Sequence, residues 1–105
     1  MTVLFHPEFP QDIRRHQSQY AKISPGLGAR FRGEIDDAVA AISSLPQRAG
    51  HRLSANSPVA VEFRRRNLRA FPFFILYGMT DERVIIASII PSRSDPLTWL
   101  TRLQP

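Results

Sequence analysis

Two strongly apolar segments in the second half of the chain limit the folds that it can adopt. Residues 68–77 and 83–90 are nearly all apolar, on both sides of a β-pleat. Runs of this length and composition predict strands that are buried on both faces of a sheet. Residues 79–82 between them predict a hairpin turn, and Pro72 predicts a bulge or a strand end within the first segment.

Two helices are predicted before these strands. Residues 10–23 begin with Pro10, which is tolerated in the first turn of a helix, and have apolar side chains on one side. Residues 27–45 have apolar side chains three or four positions apart, which is the stripe of an amphipathic helix. The stripe consists of Leu27, Phe31, Ile35, Ala38, Ile42 and Leu45. Because the break at 24–26 is short, we expect the two helices to form an antiparallel hairpin.

Shorter elements complete the predicted fold. Residues 3–5 are a β-prone run that ends before Pro7, and residues 59–66 alternate apolar and polar side chains like a half-buried strand. Residues 46–58 are polar and predict a long surface loop. Residues 97–103 predict a short C-terminal helical segment. The expected fold class is α+β, with the order β-α-α-β-β-β and the helical hairpin packed on a small, mostly antiparallel sheet.

Two helices can cover only one face of such a sheet, although both faces of its central strands are apolar. The other face needs a second cover. The C-terminal segment around Trp99 and Leu100 can fold back over it, or a partner peptide can dock there, since large exposed apolar patches mark interfaces. The sequence leaves both alternatives open.

Length and composition narrow the class of protein. The chain has 105 residues, 43% of them hydrophobic and 22% charged, which suits one soluble domain spanning residues 1–105. It has no cysteine, so we expect no disulfide, thiolate metal site or thiol nucleophile. The three histidines are far apart in sequence, and we expect no metal and no cofactor. The expected setting is a reducing cytoplasm.

The chain is basic, and its charge is unevenly distributed. The formal net charge is +5, and Lys22 is the only basic residue that is not an arginine. The stretch from Phe63 to Thr80 contains arginines and no acid, which predicts a charged partner. Arg65 is expected to follow Phe63 onto the apolar face of its strand. The other arginines predict a basic rim that suits an acidic protein segment or a phosphate backbone. This rim consists of Arg64, Arg66, Arg69, Arg93 and Arg102.

Support for an enzymatic site is weaker. The reaction that the residues fit best is metal-free RNA cleavage, which needs a base, an acid and cations for the phosphate. The candidate cations are Arg64, Arg66 and Arg93. The candidate acid is Tyr77, and the candidate base is Glu62 or His51. No subset of them has a diagnostic spacing, and Glu62 most easily pairs with a neighbouring arginine.

Several short motifs follow one another along nearly the whole chain. They are Val3-x-Phe5-His6-Pro7-Glu8, Tyr20, Pro25-Gly26-Leu27-Gly28 with Phe31, Ile42 with Pro46, Arg65-Arg66-x-Leu68 with Phe71-Pro72-Phe73-x-Ile75-x-Tyr77, and Asp95-Pro96-x-x-Trp99-x-x-Arg102. In this order and at this spacing they resemble the RelE/ParE superfamily of type II toxin–antitoxin toxins, often called plasmid stabilisation proteins.

The resemblance favours the ParE-like branch of the superfamily. RelE-like ribonucleases have lysines around the second strand and a C-terminal tyrosine or histidine, whereas Lys22 lies on the first predicted helix and the chain ends in Leu103-Gln104-Pro105. ParE-like toxins bind DNA gyrase and stall it without catalytic residues of their own. The resemblance also implies a cognate antitoxin, which we expect to be acidic and partly disordered.

The resemblance implies contacts to the target or the antitoxin, and the candidate residues are Arg64, Arg66, Arg69, Arg93, Trp99 and Arg102. Two alternatives remain open. The first is a RelE-like endoribonuclease acting on ribosome-bound messenger RNA, with Arg64, Arg93 and Tyr77 as its best residues. The second is a non-toxic relative that only binds an antitoxin, because Pro91 stands where the family usually has a histidine.

Overall fold

The computed structural model describes residues 2–53, 62–95 and 102. Its helices are α1 (Phe9–Ile23), α2 (Pro25–Ser44) and α3 (Pro46–Ala49). Its strands are β1 (Thr2–Phe5), β2 (His51–Arg52), β3 (Glu62–Asn67), β4 (Phe73–Met79) and β5 (Arg83–Pro91). The predicted α+β class is confirmed.

The strands of the described residues form one mixed sheet in the order β1-β5-β4-β3-β2. Neighbouring strands are antiparallel, except that β1 is parallel to β5. Every residue of the central strand β4 is buried, which confirms the interpretation of the apolar run. β4 begins at Phe73 rather than at Leu68, because Pro72 has no N–H to donate and the residues before it bend away.

The helical hairpin covers one face of the sheet, here called the inner face. The predicted stripe is buried on α2 at Phe31, Ile35, Ala38 and Ile42. Pro25 occupies the first turn of α2, so this helix begins two residues before the predicted Leu27. At Gly28 the two helices approach closely, since a Cβ there would lie 2.9 Å from the Cβ of Ala21.

The predicted surface loop at 46–58 is wrong in its first part. Residues 46–49 form α3, and after Gly50 residues 51–52 form β2, which pairs with β3. Such short elements have little intrinsic stability and depend on tertiary contacts, which a local pattern does not reveal. Leu45, expected on the buried stripe, is 55% exposed, because the residue before Pro46 leaves the helical conformation.

Some predicted elements lie partly or wholly outside the described residues. The strand expected at 59–66 is described from Glu62 onward. Of the helical segment expected at 97–103, Arg102 is described. The expectation that Trp99 covers the sheet also lies outside the described residues. Within the described ranges, no helix is long and apolar enough to cross a membrane.

The face of the sheet opposite the helices, here called the outer face, carries a second apolar cluster. Its buried members are Phe63, Phe74, Leu76, Ala87 and Ile90. The partly buried Leu53 and Ile85 pack against this cluster. The expectation that the central strands are apolar and buried on both faces is therefore confirmed.

Candidate functional site

Three consecutive arginines of β3 alternate between the two faces of the sheet. Arg64 is paired with Tyr77 of β4 and Arg66 with Ile75, and both partners belong to the inner core. Arg65 is paired with Leu76, which belongs to the outer cluster. Because successive side chains of a strand point to opposite faces, the arginine run is divided into two different environments.

On the inner face, side chains from β3 and β4 hold the backbone of α3 and the residue after it. The Tyr77 hydroxyl donates to the carbonyl oxygen of Pro46 at 2.6 Å. Arg64 Nη1 donates to the carbonyls of Gln47 and Gly50 at 2.9 Å and 2.7 Å. Arg66 Nη1 donates to the carbonyl of Ala49 at 2.8 Å. We call this set the α3 clamp.

The α3 clamp satisfies a general requirement of helix ends. The last carbonyls of a helix have no intrahelical donor, and the helix dipole makes this end negative. The two guanidinium groups supply both the donors and the positive charge. Gly50 lies so close to β3 that a Cβ there would be 2.9 Å from the Tyr77 hydroxyl and even closer to the Arg65 carbonyl. The segment that connects α2 to β2 is therefore pinned to the sheet.

The α3 clamp includes Arg64 and Tyr77, which are two of the three best candidates for RNA cleavage. Tyr77 is fully buried, and burial raises the pKa of its hydroxyl. The Arg64 side chain is 15% exposed, and its Nε lies 2.8 Å from Glu62 Oε2. This hydrogen bond lowers the pKa of the Glu62 carboxyl. His51, the other base candidate, is exposed on β2 opposite Arg65. The pairing expected for Glu62 is confirmed.

Arg102 also makes internal contacts. Its Nη1 lies 2.6 Å from Oδ2 of Asp12, a carboxylate of α1 that is 4% exposed, and 3.1 Å from the Ser88 hydroxyl. Its Nη2 lies 3.2 Å from Glu8 Oε2. Burying a carboxylate is costly unless a cation and hydrogen bonds compensate. Arg102 is therefore bound to side chains of β5, of α1 and of the residue before α1.

Arg69 and Arg93 are exposed at one end of the sheet, here called the basic end. Arg69 follows β3, and Arg93 follows β5. Their loops touch, because the Ser92 N–H donates to the Pro72 carbonyl at 2.9 Å. The Glu34 carboxylate fixes the first loop by accepting the N–H of Arg69 at 2.6 Å.

Beside the first of these loops lies a cleft of about 560 Å³. Both Arg66 and Arg69 line it, together with the acidic side chains of Glu34 and Asp37. Of the predicted rim, the structure therefore brings Arg66, Arg69 and Arg93 to one end and places Arg102 elsewhere.

Arg65 is the residue that the predicted rim leaves out. Its guanidinium carbon lies 3.8 Å from the centroid of the Phe74 ring, which is a cation–π contact. Its Nε and Nη2 donate to Asn67 Oδ1 at 3.0 Å and 2.9 Å. The alternation of β3 assigned Arg65 to the apolar face correctly. The sequence signal for the contact with Asn67 was the spacing of two positions between Arg65 and Asn67, because residues two apart lie on the same side of a strand.

An apolar groove of about 440 Å³ lies between the start of α1 and α2. Its lining includes Phe5, Phe9, Ile13, Ile35 and Val39. Phe5 is 48% exposed. An exposed aromatic side chain beside an apolar groove is typical of a docking surface for another protein.

Comparisons with known proteins agree with this architecture. A family described as "ParE toxin of type II toxin-antitoxin system, parDE" matches residues 3–96. A solved structure, the chromosomal ParDE TA system from P. aeruginosa, contains a chain that matches with a TM-score of 0.70 and 17% identity, over 87% of this chain and 95% of that one. At this level of identity, the likeness shows a common fold alone. The comparison with curated proteins gives no match. Because the family match extends over most of the sequence, the chain belongs to the ParE toxins of type II toxin–antitoxin systems.

Proposed function

We propose that this ParE toxin inhibits DNA gyrase by binding to it through the basic end of the sheet. The observation that carries the proposal is the placement of Arg69 and Arg93 on touching, exposed loops in a chain of net charge +5. Arg66 adds a cation to the neighbouring cleft. Clustered cations attract an acidic partner surface and steer the encounter.

We also propose that a cognate antitoxin neutralises the toxin by folding over the apolar groove. The exposed Phe5 supplies an apolar anchor that a disordered segment buries when it orders on binding. The antitoxin is expected to be acidic because the toxin is basic. Toxin and antitoxin would then meet in the cytoplasm, where gyrase acts.

The RelE-like alternative has less support. A general acid must reach the leaving oxygen of the RNA, but Tyr77 is fully buried and donates its proton to the carbonyl of Pro46. Arg64 donates to two carbonyls and a carboxylate of its own chain. Arg93, the third residue named for cleavage, is exposed, whereas Tyr77 and Arg64 make the internal contacts described above.

A gyrase supercoiling assay with purified, antitoxin-free protein tests the proposal. We expect inhibition with accumulation of cleaved plasmid. The double variant Arg69→Glu/Arg93→Glu should lose this inhibition and remain folded. Arg83→Glu is the matched control, since Arg83 is an exposed arginine at the opposite end of β5.

Two results would count against gyrase binding at the basic end. Inhibition by the double variant equal to that of the unchanged chain would exclude this end as the contact. Absence of inhibition by the unchanged, folded chain would exclude gyrase as the target. Cleaved transcripts after induction would then favour the ribonuclease, and harmless overexpression would favour a non-toxic relative.

A further inference from the structure

On the outer face of the sheet, Arg65 is a cation that the proposed gyrase contact does not use. Arg65 is half-buried, stacked on Phe74 and braced by Asn67. A guanidinium has five N–H donors. The Nε–H and one Nη2–H point to Asn67, and the other three N–H groups have no acceptor among residues 2–53, 62–95 and 102. Within these residues, the end formed by Nη1 and Nη2 has donors left for an external group.

The surroundings of Arg65 contain no compensating acid among the described residues. Its cross-strand partners are His51 on β2 and Leu76 on β4, and its same-face neighbours on β3 are Phe63 and Asn67. The nearest carboxylate in sequence, Glu62, is engaged by Arg64 and Arg52 on the inner side. Within the described part of the chain, no carboxylate pairs with Arg65 on this face.

We propose that Arg65 binds a carboxylate side chain of an acidic protein segment that crosses the outer face at β2 and β3. Two parallel N–H groups match the two oxygens of a carboxylate. An exposed ion pair is usually weak, since fixing two long side chains costs conformational entropy. Here stacking on Phe74 and the bond to Asn67 have already fixed the arginine, so most of that cost is removed for one partner.

The pattern of residues favours a protein segment over a nucleic acid. A phosphate backbone is bound by several cations in series. On the outer face, Arg65 has an aromatic residue and an amide as its strand neighbours, because Arg64 and Arg66 point inward. Leu53 packs beside the same cluster and offers apolar contact to the residues that flank the carboxylate. A segment that alternates acidic and aliphatic residues fits this surface.

The test uses the full, isotope-labelled chain and a short blocked peptide that alternates glutamate and leucine. We expect a saturable shift of the Arg65 Nε–Hε signal in nitrogen–proton NMR spectra. Arg65→Ala should weaken peptide binding about tenfold or more, because a charge-assisted bidentate contact is lost. Arg65→Lys, which keeps the charge but not the planar fork, should weaken binding by a smaller factor. Arg83→Ala removes an exposed strand arginine elsewhere and should leave the affinity unchanged.

Further arms of the experiment separate the carboxylate from other causes. The same peptide with glutamine in place of glutamate should not bind at this position, and a short DNA duplex should not shift the Arg65 signal. Equal affinities for the unchanged chain and Arg65→Ala would overturn the proposal, as would unchanged affinity in Arg65→Lys, binding of the glutamine peptide, or a response to DNA alone. The spectra also report whether each variant is folded. This inference does not depend on gyrase being the target.

Discussion

Arg64 and Arg66 lie on the inner face of β3, while Arg65, between them, lies on the outer face. The inner arginines donate to the carbonyls of Gln47, Gly50 and Ala49 and so hold α3 to the sheet. The outer arginine stacks on the Phe74 ring and donates to Asn67. Three identical neighbours therefore lie in two different environments. The number of arginines in a segment does not by itself measure a binding surface, because carbonyls at a helix end can engage them first.

Among the substitutions on the inner face, Gly50→Ala should reduce the stability of the folded chain most. The added Cβ would be 2.9 Å from the Tyr77 hydroxyl and would overlap the backbone of Arg65. Because backbone atoms cannot move aside cheaply, we expect a loss of about 3 kcal/mol in the free energy of unfolding. Urea unfolding measures it. Gly33→Ala is the control, since nothing lies within 4 Å of a Cβ there. A similarly small effect of both substitutions would show that the α3 clamp is loose.

Arg66→Met should have the next largest effect. The substitution keeps most of the side-chain length and removes the donor to the Ala49 carbonyl. A hydrogen bond from a charged group to a partly buried acceptor accounts for about 2 kcal/mol. Amide hydrogen exchange at Ala49, whose N–H donates to the Leu45 carbonyl, should accelerate. The same exchange rate in the unchanged chain and the variant would exclude a role of Arg66 in holding α3. Arg83→Met is the matched control.

Tyr77→Phe should cost about 1.5 kcal/mol, because the buried carbonyl of Pro46 loses its donor while the ring stays in place. The free energy of unfolding in urea is the measurement. Tyr20→Phe serves as the control, since the Tyr20 ring packs on Phe31 and Phe71 and its hydroxyl has no partner among the described residues. Equal losses in the two variants would indicate that the Tyr77 hydroxyl does not support α3.

The pH dependence of Glu62 is the smallest expected effect. Its pKa is lowered in the folded chain, chiefly by the hydrogen bond from Arg64. Its contribution to stability should be fully present above the ordinary value of 4.5 and be lost as the pH falls through the lowered pKa. The contribution should not exceed about 1 kcal/mol, because the pair is partly exposed.

Unfolding of the unchanged chain and Glu62→Gln over this acidic range measures that contribution. We expect the two stability curves to converge as the pH falls. The exposed Glu82 provides the control Glu82→Gln. A difference between Glu62→Gln and the unchanged chain that does not vary with pH would contradict an ionic contribution.

The elements with a long, regular pattern could be predicted from the sequence. The α2 stripe and the apolar runs of β4 and β5 depend on residues within one element. The structure has α2 and β5 close to the predicted bounds, whereas β4 begins at Phe73 rather than at Leu68. The family was also recognisable from motifs spread along the chain. By contrast, α3 and β2 were missed. Their stability comes from contacts with residues many positions away, which no local pattern contains.

The candidate site was predictable to a smaller extent. Exposure of Arg69 and Arg93 agrees with the expected rim. The internal contacts of Arg64 and Arg102 were not foreseeable, because they depend on the carbonyls of α3 and on the buried carboxylate of Asp12. Alternation along β3 did assign Arg65 to the apolar face, but it could not show that Phe74 and Asn67 hold the guanidinium there.

Urea unfolding of Arg64→Met and Arg65→Met, measured side by side, tests most directly the division between the two faces of β3. Both substitutions remove the same charge from adjacent positions of one strand. We predict a loss of about 2 kcal/mol or more for Arg64→Met, which removes the donor to two carbonyls and a carboxylate. For Arg65→Met we predict a loss below about 1 kcal/mol, as for a partly exposed cation–π contact. Equal losses, or a larger loss for Arg65→Met, would contradict the account.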